Sequence, residues 1–323
     1  IYEAIVVGAS DVHVLWTPDG GVVRFRKNGQ LSVRIHIAKH EIEGWMRILK
    51  LLAHLEPGRG LMPQDGQLSV RCGGKAYDVR VSTLPTVHGE DAVLRLFDTY
   101  QTQASLADLG FWPPAEALVG QMLAQRCGVI LVTGPTGSGK TTTLYTLIRE
   151  LVAQNLSVVT LEDPVEQHLA HVRQSQVNAT AGYTFSNGLK YLLRQDPDVI
   201  MVGEIRDPEG AKMAFDAAYT GHLVLSSLHT DSVRSTFARL SGFGLDPFLI
   251  RYALKGIISQ QLASVRCCEL GCAQCHYTGY RHRRLLTEVL MPPVGGQDIE
   301  ALIQNGGPGY HAFETDLRLK ELA

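Results

Sequence analysis

The sequence predicts an α/β protein: a mostly parallel sheet with helices on both faces, preceded by a small α+β domain. Between about residues 129 and 240, apolar runs of strand length alternate with helical patterns, and this alternation is typical of parallel βαβ units. The first third instead shows period-two alternation broken by turn signals. We place the small domain at residues 1–97, a linker at 98–105, the parallel-sheet domain at 106–290 and a C-terminal tail at 291–323.

A phosphate-loop signature lies at the start of the parallel-sheet domain. Residues 129–132 form an apolar run, residues 134–141 are Gly-Pro-Thr-Gly-Ser-Gly-Lys-Thr, and residues 142–151 have helical apolar spacing. This is G-x-x-x-x-G-K-[ST] between a strand and a helix, the context that the motif requires. The alternative is a glycine-rich turn without a ligand, and the two flanking elements argue against it.

The motif predicts ATP binding with Mg²⁺. Its glycines let several backbone N–H groups turn towards one phosphate, and the helix N-terminus adds partial positive charge. Lys140 can reach the β- and γ-phosphates, and the Thr141 hydroxyl can bind Mg²⁺. The predicted nucleotide-binding residues are Gly134, Pro135, Thr136, Gly137, Ser138, Gly139, Lys140, Thr141 and Thr142.

Polar residues follow three further predicted strands. Glu162 follows the run at 157–161, Glu204 follows the run at 198–203, and His229 lies at the end of the run that starts at 221. In open α/β sheets, ligands bind at the carboxyl ends of the strands. Each residue alone has a structural alternative, since an acid can cap a helix and a histidine can be a satisfied core residue. Beside a phosphate loop, the three together predict a catalytic site.

The small domain is predicted to be an antiparallel sheet with one or two covering helices. The Asn28-Gly29 pair between two alternating runs predicts a type I′ hairpin. Turns are predicted at Asp65-Gly66 and at Gly73-Gly74. Residues 41–53 predict an amphipathic helix whose apolar side consists of Ile42, Trp45, Met46, Leu49 and Leu52.

Two arginines of the small domain, Arg80 and Arg95, alternate with apolar neighbours on strand-like runs. Composition alone favours a solvated sheet face for both, because exposed charge is the usual state of arginine.

The near-neutral net charge of the chain limits the classes of binding partner that we expect. The chain contains 30 Lys and Arg against 32 Asp and Glu, with a net charge of −2, which argues against non-specific nucleic-acid binding as its main function. No apolar run has the length needed to span a bilayer. The sequence begins at Ile1 rather than Met, so we expect a further segment upstream.

Four of the six cysteines cluster near the end of the parallel-sheet domain. In a reducing compartment, such a cluster indicates metal binding or a vestigial loop before it indicates disulfides. Four thiolates can bind Zn²⁺ tetrahedrally, but adjacent ligands on a short loop strain that geometry, so a degenerate loop is favoured. The candidate zinc ligands are Cys267, Cys268, Cys272 and Cys275.

With these motifs in place, the chain resembles the secretion and type IV pilus ATPases. The resemblance is carried by the phosphate loop and three further segments: the acidic box at 161–166, the Walker B segment at 193–207 and the histidine box at 221–230. It implies a RecA-like P-loop NTPase domain, preceded by a PAS-like α+β domain, that hydrolyses ATP to ADP and phosphate.

The resemblance also implies catalytic roles for the residues at the strand ends. Glu162 polarises the attacking water, Glu204 assists Mg²⁺ through its water shell, and His229 senses the γ-phosphate with support from His222. Gly203 stands where a Walker B motif commonly has Asp, which weakens the expectation of direct carboxylate–metal coordination.

For Arg80 and Arg95, the resemblance implies arginine fingers supplied across a subunit boundary. An always-charged, forked guanidinium suits the charge that builds on a transferring phosphoryl group.

The implied partners are five further copies of the chain in a homohexamer, an inner-membrane platform protein and, indirectly, pilin-like subunits, with no specific nucleic acid. The implied location is the cytoplasmic face of the membrane.

The short first domain and cysteine loop are most similar to those of competence pseudopilus assembly ATPases, and the assembled structure could also be a type IV pilus or a type II secretion pseudopilus. The alternatives are a pilus retraction ATPase, a RecA-like nucleic-acid translocase and an adaptor that binds ATP without turnover.

Overall fold

The structure is a computed structural model that describes residues 1–58, 60–98, 105–267, 272, 279–292 and 299–319. The chain divides into two units, one of residues 1–102 with 264–282 and one of residues 103–263 with 283–323. Most of the predicted linker at 98–105 lies outside the described residues. Among the residues that the structure describes, no helix combines the length and the apolar character needed to cross a membrane.

The described part of the first unit contains a six-stranded sheet in the order β3-β2-β1-β6-β5-β4. Its described strand pairs are antiparallel. Helix α2 packs Ile42 and Met46 into the core on one face of this sheet. The elements are α1 (Tyr2–Val7), β1 (Asp11–Thr17), β2 (Gly20–Lys27), β3 (Gln30–Ala38), α2 (Lys39–Leu52), β4 (Gln64–Cys72), β5 (Lys75–Pro85) and β6 (Glu90–Asp98).

Local predictions for the first unit hold at two turns and fail at one. Asn28 and Gly29 have φ values of 51° and 84°, as a type I′ turn requires, and Gly73-Gly74 joins β4 to β5. The turn predicted at Asp65-Gly66 is wrong, since both residues lie inside β4. A Cβ on Gly66 would lie 2.3 Å from the carbonyl oxygen of Ala53, so a close backbone approach requires glycine there.

The helix predicted at residues 41–53 is confirmed as α2, but its apolar side is narrower than predicted. Ile42, Met46 and Leu49 are buried, whereas Trp45 and Leu52 are exposed. At 100° per residue, Trp45 and Leu52 lie about 70–90° away from the centre of the buried stripe, which places them at its margin.

The second unit contains an eight-stranded sheet in its described residues, in the order β14-β13-β12-β7-β11-β10-β8-β9. The strands from β12 to β9 in that order pair in parallel. The elements are α3 (Pro113–Leu123), β7 (Gly128–Thr133), α4 (Lys140–Ala153), β8 (Val158–Glu162), β9 (Arg173–Gln176), α5 (Phe185–Leu192), β10 (Val199–Val202), α6 (Pro208–Tyr219), β11 (Leu223–Leu228), α7 (Val233–Gly242), α8 (Pro247–Ala253), β12 (Leu254–Arg266), β13 (Tyr280–Leu290), α9 (Ile299–Asn305), β14 (Tyr310–His311) and α10 (Phe313–Leu319).

Both faces of this sheet are covered, as the predicted fold class requires. Along β7, Val129 and Leu131 enter one core cluster, with residues of α5 and α6. The alternate residues Ile130 and Val132 enter a second cluster, with residues of α3 and α4. The period-two alternation of a strand therefore explains why the run is apolar throughout. The predicted parallel α/β class is confirmed.

Helix boundaries follow their capping residues. The Asp207 side chain accepts a hydrogen bond from Gly210 N, with Pro208 as the first residue of α6. Ser232 is the N-cap of α7 and forms a reciprocal capping box with Ser235.

The tail, which the sequence left uninterpreted, belongs to the second unit. Strand β14 pairs with β13, and the buried Asp316 carboxylate accepts a hydrogen bond from Thr287 N at 2.8 Å. His311 Nε2 lies 3.0 Å from the other oxygen of Asp316.

Candidate active site

The phosphate loop, Glu162, Glu204 and His229 lie at one edge of the second sheet. Strands β7, β11, β10 and β8 are neighbours and run parallel, so their carboxyl ends lie together. The phosphate loop follows β7, and His229 follows β11. Glu204 lies two residues beyond β10, and Glu162 is the last residue of β8.

The phosphate loop has the strand–loop–helix geometry that the motif predicts. Gly134, Gly137 and Gly139 all have positive φ, and α4 begins at Lys140 immediately after Gly139. Pro135, Thr136, Gly137 and Thr142 are exposed, Ser138 is buried, and Gly139, Lys140 and Thr141 are half-buried.

Lys140 lies folded back on the loop. Its ammonium donates hydrogen bonds to the carbonyl oxygens of Gly134 at 2.8 Å and Pro135 at 3.0 Å. Burial lowers the pKa of Lys140, and the negative charge of Glu204 partly opposes that shift. A phosphate placed in the loop would offer this ammonium a stronger partner than two neutral carbonyl groups.

Glu162 is almost fully buried, with 3% of its surface exposed. Its carboxylate accepts hydrogen bonds from the Tyr145 hydroxyl, from Thr160 Oγ1 at 2.6 Å and from Gln174 Nε2 at 3.0 Å. Burial, together with the Glu162 charge, raises the pKa of Tyr145, so Tyr145 remains a donor. Sequence reasoning missed Tyr145 and Gln174, because no local motif distinguishes them.

Glu204 and His229 lie side by side in a more open part of the site. His229 Nε2 is 3.1 Å from Glu204 Oε2, and the two side chains are 54% and 20% exposed. Arg206 Nε donates to the other oxygen of Glu204, and Arg206 Nη1 donates to Asp163 Oδ2 at 3.3 Å. Arg206 therefore links the ends of β8 and β10, which the sequence analysis did not predict.

His222 lies at the opposite edge of the sheet, so its predicted support of His229 is wrong within one subunit. It precedes β11, and its carbonyl oxygen accepts a hydrogen bond from the first residue of β7, Gly128. A six-residue strand separates it from His229, about 20 Å at the usual strand rise. Its Nδ1 lies 3.0 Å from the carbonyl oxygen of Ala217.

In the first unit, Arg80 and Arg95 are directly opposite each other on β5 and β6. Arg95 is exposed, and its Nε donates to Asp11 Oδ1 at 3.0 Å. The Arg80 guanidinium carbon lies 4.7 Å from the ring centre of Phe97. The two side chains therefore share one face of the sheet, and their role as fingers for a neighbouring subunit stays a prediction.

Half of the cysteine cluster lies outside the described residues. Cys268 and Cys275 are not described, whereas the sulfur atoms of Cys267 and Cys272 lie 3.6 Å apart. Two ligands of a tetrahedral zinc ion with bonds of about 2.3 Å lie about 3.8 Å apart, so this pair is compatible with a zinc site. Zinc binding stays a prediction.

The residues present fit a nucleotide with Mg²⁺. Within the described residues, the buried hydroxyl oxygens of Thr133, Ser138 and Ser259 have no hydrogen-bond partner, and Ser138 belongs to the loop itself. The described residues hold no group of three or more His, Cys, Asp or Glu side chains that could bind a metal. A hydroxyl such as that of Thr141, together with phosphate oxygens and water, is the usual environment of Mg²⁺.

Comparison with known proteins places this geometry in a family. A model of the family described as "Type II/IV secretion system protein" matches residues 1–312. The type II secretion system protein E of Klebsiella pneumoniae is 39% identical over an alignment of 354 positions, which covers 99% of this chain and 71% of that protein. The type II secretion system ATPase E of Vibrio cholerae is 38% identical, covering 90% of this chain and 63% of that protein.

Solved structures share the fold. The ADP-bound pilus retraction motor PilT is 27% identical, with a TM-score of 0.64, covering 99% of this chain and 87% of that one. The ATPase DotB of Legionella pneumophila is 23% identical, with a TM-score of 0.75, covering 99% of this chain and 89% of that one. The predicted RecA-like class is confirmed by this likeness.

Proposed function

The chain belongs to the type II/IV secretion system protein family, and from that premise we propose that it is a hexameric ATPase that drives assembly of a type II secretion pseudopilus. It acts at the cytoplasmic face of the membrane through an inner-membrane platform protein and moves pilin-like subunits indirectly. The observation that carries the proposal is the pairing of Glu204 with His229, 3.1 Å apart. They follow the adjacent strands β10 and β11, and β11 pairs with β7, the strand that leads into the phosphate loop.

The enzyme class agrees with the relatives. The V. cholerae relative is described as an ATPase, and the PilT structure, which shares the fold, contains ADP. An intact phosphate loop with carboxylates at the neighbouring strand ends has the parts that phosphoryl transfer to water requires. The predicted class, an ATPase, is therefore confirmed at the level of the family.

The relatives favour a type II secretion system over the competence pseudopilus of the sequence-based prediction. Both the K. pneumoniae and the V. cholerae relatives carry type II secretion names. This support extends to the matched part alone, because the chain spans 71% and 63% of those proteins.

Each residue of the site has a separate role in ATP hydrolysis. Lys140 leaves the loop carbonyl oxygens for the β- and γ-phosphates, and the backbone N–H groups of the loop bind the same phosphates. Thr141 would hold Mg²⁺, with Glu204 assisting through water, and the ion would supply positive charge beside the phosphates. His229, which is exposed and lies against Glu204, is positioned to respond to the γ-phosphate.

Two carboxylates are candidates for orienting the attacking water. Both oxygens of Glu162 accept hydrogen bonds from protein donors. These donors use three of the roughly four acceptor positions of the carboxylate, so the oxygen that accepts from Tyr145 can also accept from a water. Glu204 is more exposed and can contact water directly. We keep Glu162 as the water-polarising residue, because its buried, hydrogen-bonded carboxylate is the more rigidly held.

Arg80 and Arg95 complete the mechanism from the first unit of a neighbouring subunit. Both lie on one sheet face, and Arg95 is extensively exposed. Guanidinium groups of this kind stabilise charge on the transferring phosphoryl oxygens, and the loss of either is expected to lower turnover more than nucleotide binding.

ATP turnover by the assembled protein tests the proposal. Lys140→Ala and Glu162→Gln are each expected to lower turnover at least about a hundredfold, with Glu204→Gln assayed alongside. Parental turnover by Lys140→Ala would overturn the site, and parental turnover by Glu162→Gln with loss in Glu204→Gln would transfer the water-orienting role to Glu204. Mixing Lys140→Ala with Arg95→Ala subunits is expected to restore part of the activity, because some interfaces then pair an intact loop with an intact arginine.

A deletion strain separates the proposed motor from the alternatives. Loss of secretion and of the pseudopilus is expected. Pili that persist and accumulate would indicate a retraction motor instead, and stimulation of turnover by single-stranded DNA in a salt-sensitive manner would indicate a translocase.

A further inference from the structure

Gln260, on strand β12, is completely buried and spans the base of the phosphate loop. Its Nε2 donates to the carbonyl oxygen of Ser138 at 2.7 Å. Its Oε1 accepts from the hydroxyl of Thr143 at 2.8 Å. One amide thus bonds the last turn of the loop and the first turn of α4 at the same time.

The backbone of Gln260 also lies against the start of the loop. A Cβ on Gly134 would lie 2.3 Å from the Gln260 carbonyl oxygen, and a Cβ on Gly139 would lie 3.3 Å from Gln260 Nε2. The residue therefore contacts both ends of the segment that curls around a phosphate. Strand β12 supplies this contact because it pairs in parallel with β7, the strand that leads into the loop.

We propose that Gln260 is a positioning residue for nucleotide binding, which holds the phosphate loop in its binding conformation before a phosphate binds. This inference rests on the proposed ATP site. The physical reason is pre-organisation: a loop whose N–H groups already point inwards loses less conformational entropy when phosphate binds. Gln260 does not touch the nucleotide and acts through the Ser138 carbonyl and the Thr143 hydroxyl.

An amide is required because the two contacts are of opposite kind. One end must donate and the other must accept, and both partners are otherwise shielded from water. An apolar side chain of the same length would leave the buried Ser138 carbonyl and Thr143 hydroxyl without that bond, which is costly in a buried site. A carboxylate would repel the Ser138 carbonyl oxygen at neutral pH.

Binding of a fluorescent ADP analogue to the full chain tests the inference. Gln260→Met keeps the side-chain length and removes both hydrogen bonds, and we expect its Kd to rise at least about tenfold. The neighbouring, half-buried Gln261 provides the matched control, since Gln261→Met is expected to bind as the parent does. With ATP, KM is expected to rise in Gln260→Met while kcat at saturation stays within about threefold of the parent.

A pH profile distinguishes positioning from simple damage to the fold. Gln260→Glu is expected to bind weakly at pH 8, and its Kd relative to the parent is expected to recover at least about fivefold at pH 5.5. At that pH a buried carboxyl holds its proton and can again donate to the Ser138 carbonyl. Damage to packing would weaken binding equally at both pH values.

A second variant keeps the inference testable if Gln260→Met does not fold. Thr143→Val removes one of the two hydrogen bonds and is expected to raise Kd about threefold to fivefold, with Thr143→Ser restoring the parental value. Parental Kd values in folded Gln260→Met or in Thr143→Val would overturn the role of Gln260. A parent that binds no nucleotide would instead overturn the proposed ATPase function.

Discussion

Two glycines of the phosphate loop differ in what an added methyl group would meet. Gly134 has φ +148°, and a Cβ there would lie 2.3 Å from the Gln260 carbonyl oxygen and 2.6 Å from Ser138 Oγ. Gly137 has φ +76°, and its Cβ would meet nothing within 4 Å. Gly134→Ala therefore introduces both steric overlap and backbone strain, whereas Gly137→Ala introduces backbone strain alone.

The expected losses of stability follow from these two environments. Alanine in the left-handed region costs about 1 kcal/mol, which is the whole expected effect of Gly137→Ala. Gly134→Ala adopts a conformation that only glycine populates readily, at about 2 kcal/mol. It also overlaps a backbone carbonyl that cannot rotate away, at about 2 kcal/mol more. We expect a total of about 4 kcal/mol for Gly134→Ala.

Urea unfolding of the second unit measures the difference. Trp112 is the one tryptophan of this unit, so its fluorescence reports the transition once Trp16 and Trp45 are replaced by Phe. At an m-value of about 2.5 kcal/mol/M, the midpoint is expected to fall by about 1.6 M for Gly134→Ala and about 0.4 M for Gly137→Ala. Equal midpoints for the two variants would refute the close contact between Gly134 and β12.

Three further outcomes are expected. Burial raises the pKa of Glu288, so the folded state holds this proton to higher pH than the unfolded state. The stability of the folded state therefore falls as the pH rises from the ordinary pKa of a glutamate through the raised pKa. Glu288→Gln is expected to abolish this part of the pH dependence, measured as urea midpoints at pH 4.5 and 7. Tyr145→Phe removes a donor to the buried Glu162 carboxylate and is expected to cost about 2 kcal/mol of stability, measured by the same unfolding; an unchanged midpoint would contradict the hydrogen bond. Asp11→Asn weakens the ion pair with Arg95 and is expected to lower kcat several-fold with unchanged ADP affinity. Because Arg95 is exposed, the pair itself contributes less than about 1 kcal/mol of stability; parental kcat would show that Asp11 does not position the proposed finger.

Predictions from the sequence succeeded where a local pattern determines local structure. The strand, glycine loop and helix around Lys140 follow from the motif, and the Asn28-Gly29 turn follows from the need for two positive φ values. The predictions failed where contacts with a distant segment of the chain determine the conformation or the location of a residue. The sequence predicts a turn at Gly66, but the chain after α2 packs against this residue within a strand. The sequence also predicts that His222 belongs to the site, but the direction of β11 places it at the other edge of the sheet.

The sequence by itself determined the chemistry available to this protein: a phosphate loop, carboxylates and a histidine at strand ends, and two arginines on strand-like runs. Only the tertiary structure decided how those groups are held, because hydrogen bonds between segments far apart in the chain have no local sequence signal. Such hydrogen bonds bring Tyr145, Gln174 and Arg206 into the site. Gln260 lies 122 residues from Ser138, whose carbonyl oxygen accepts its hydrogen bond.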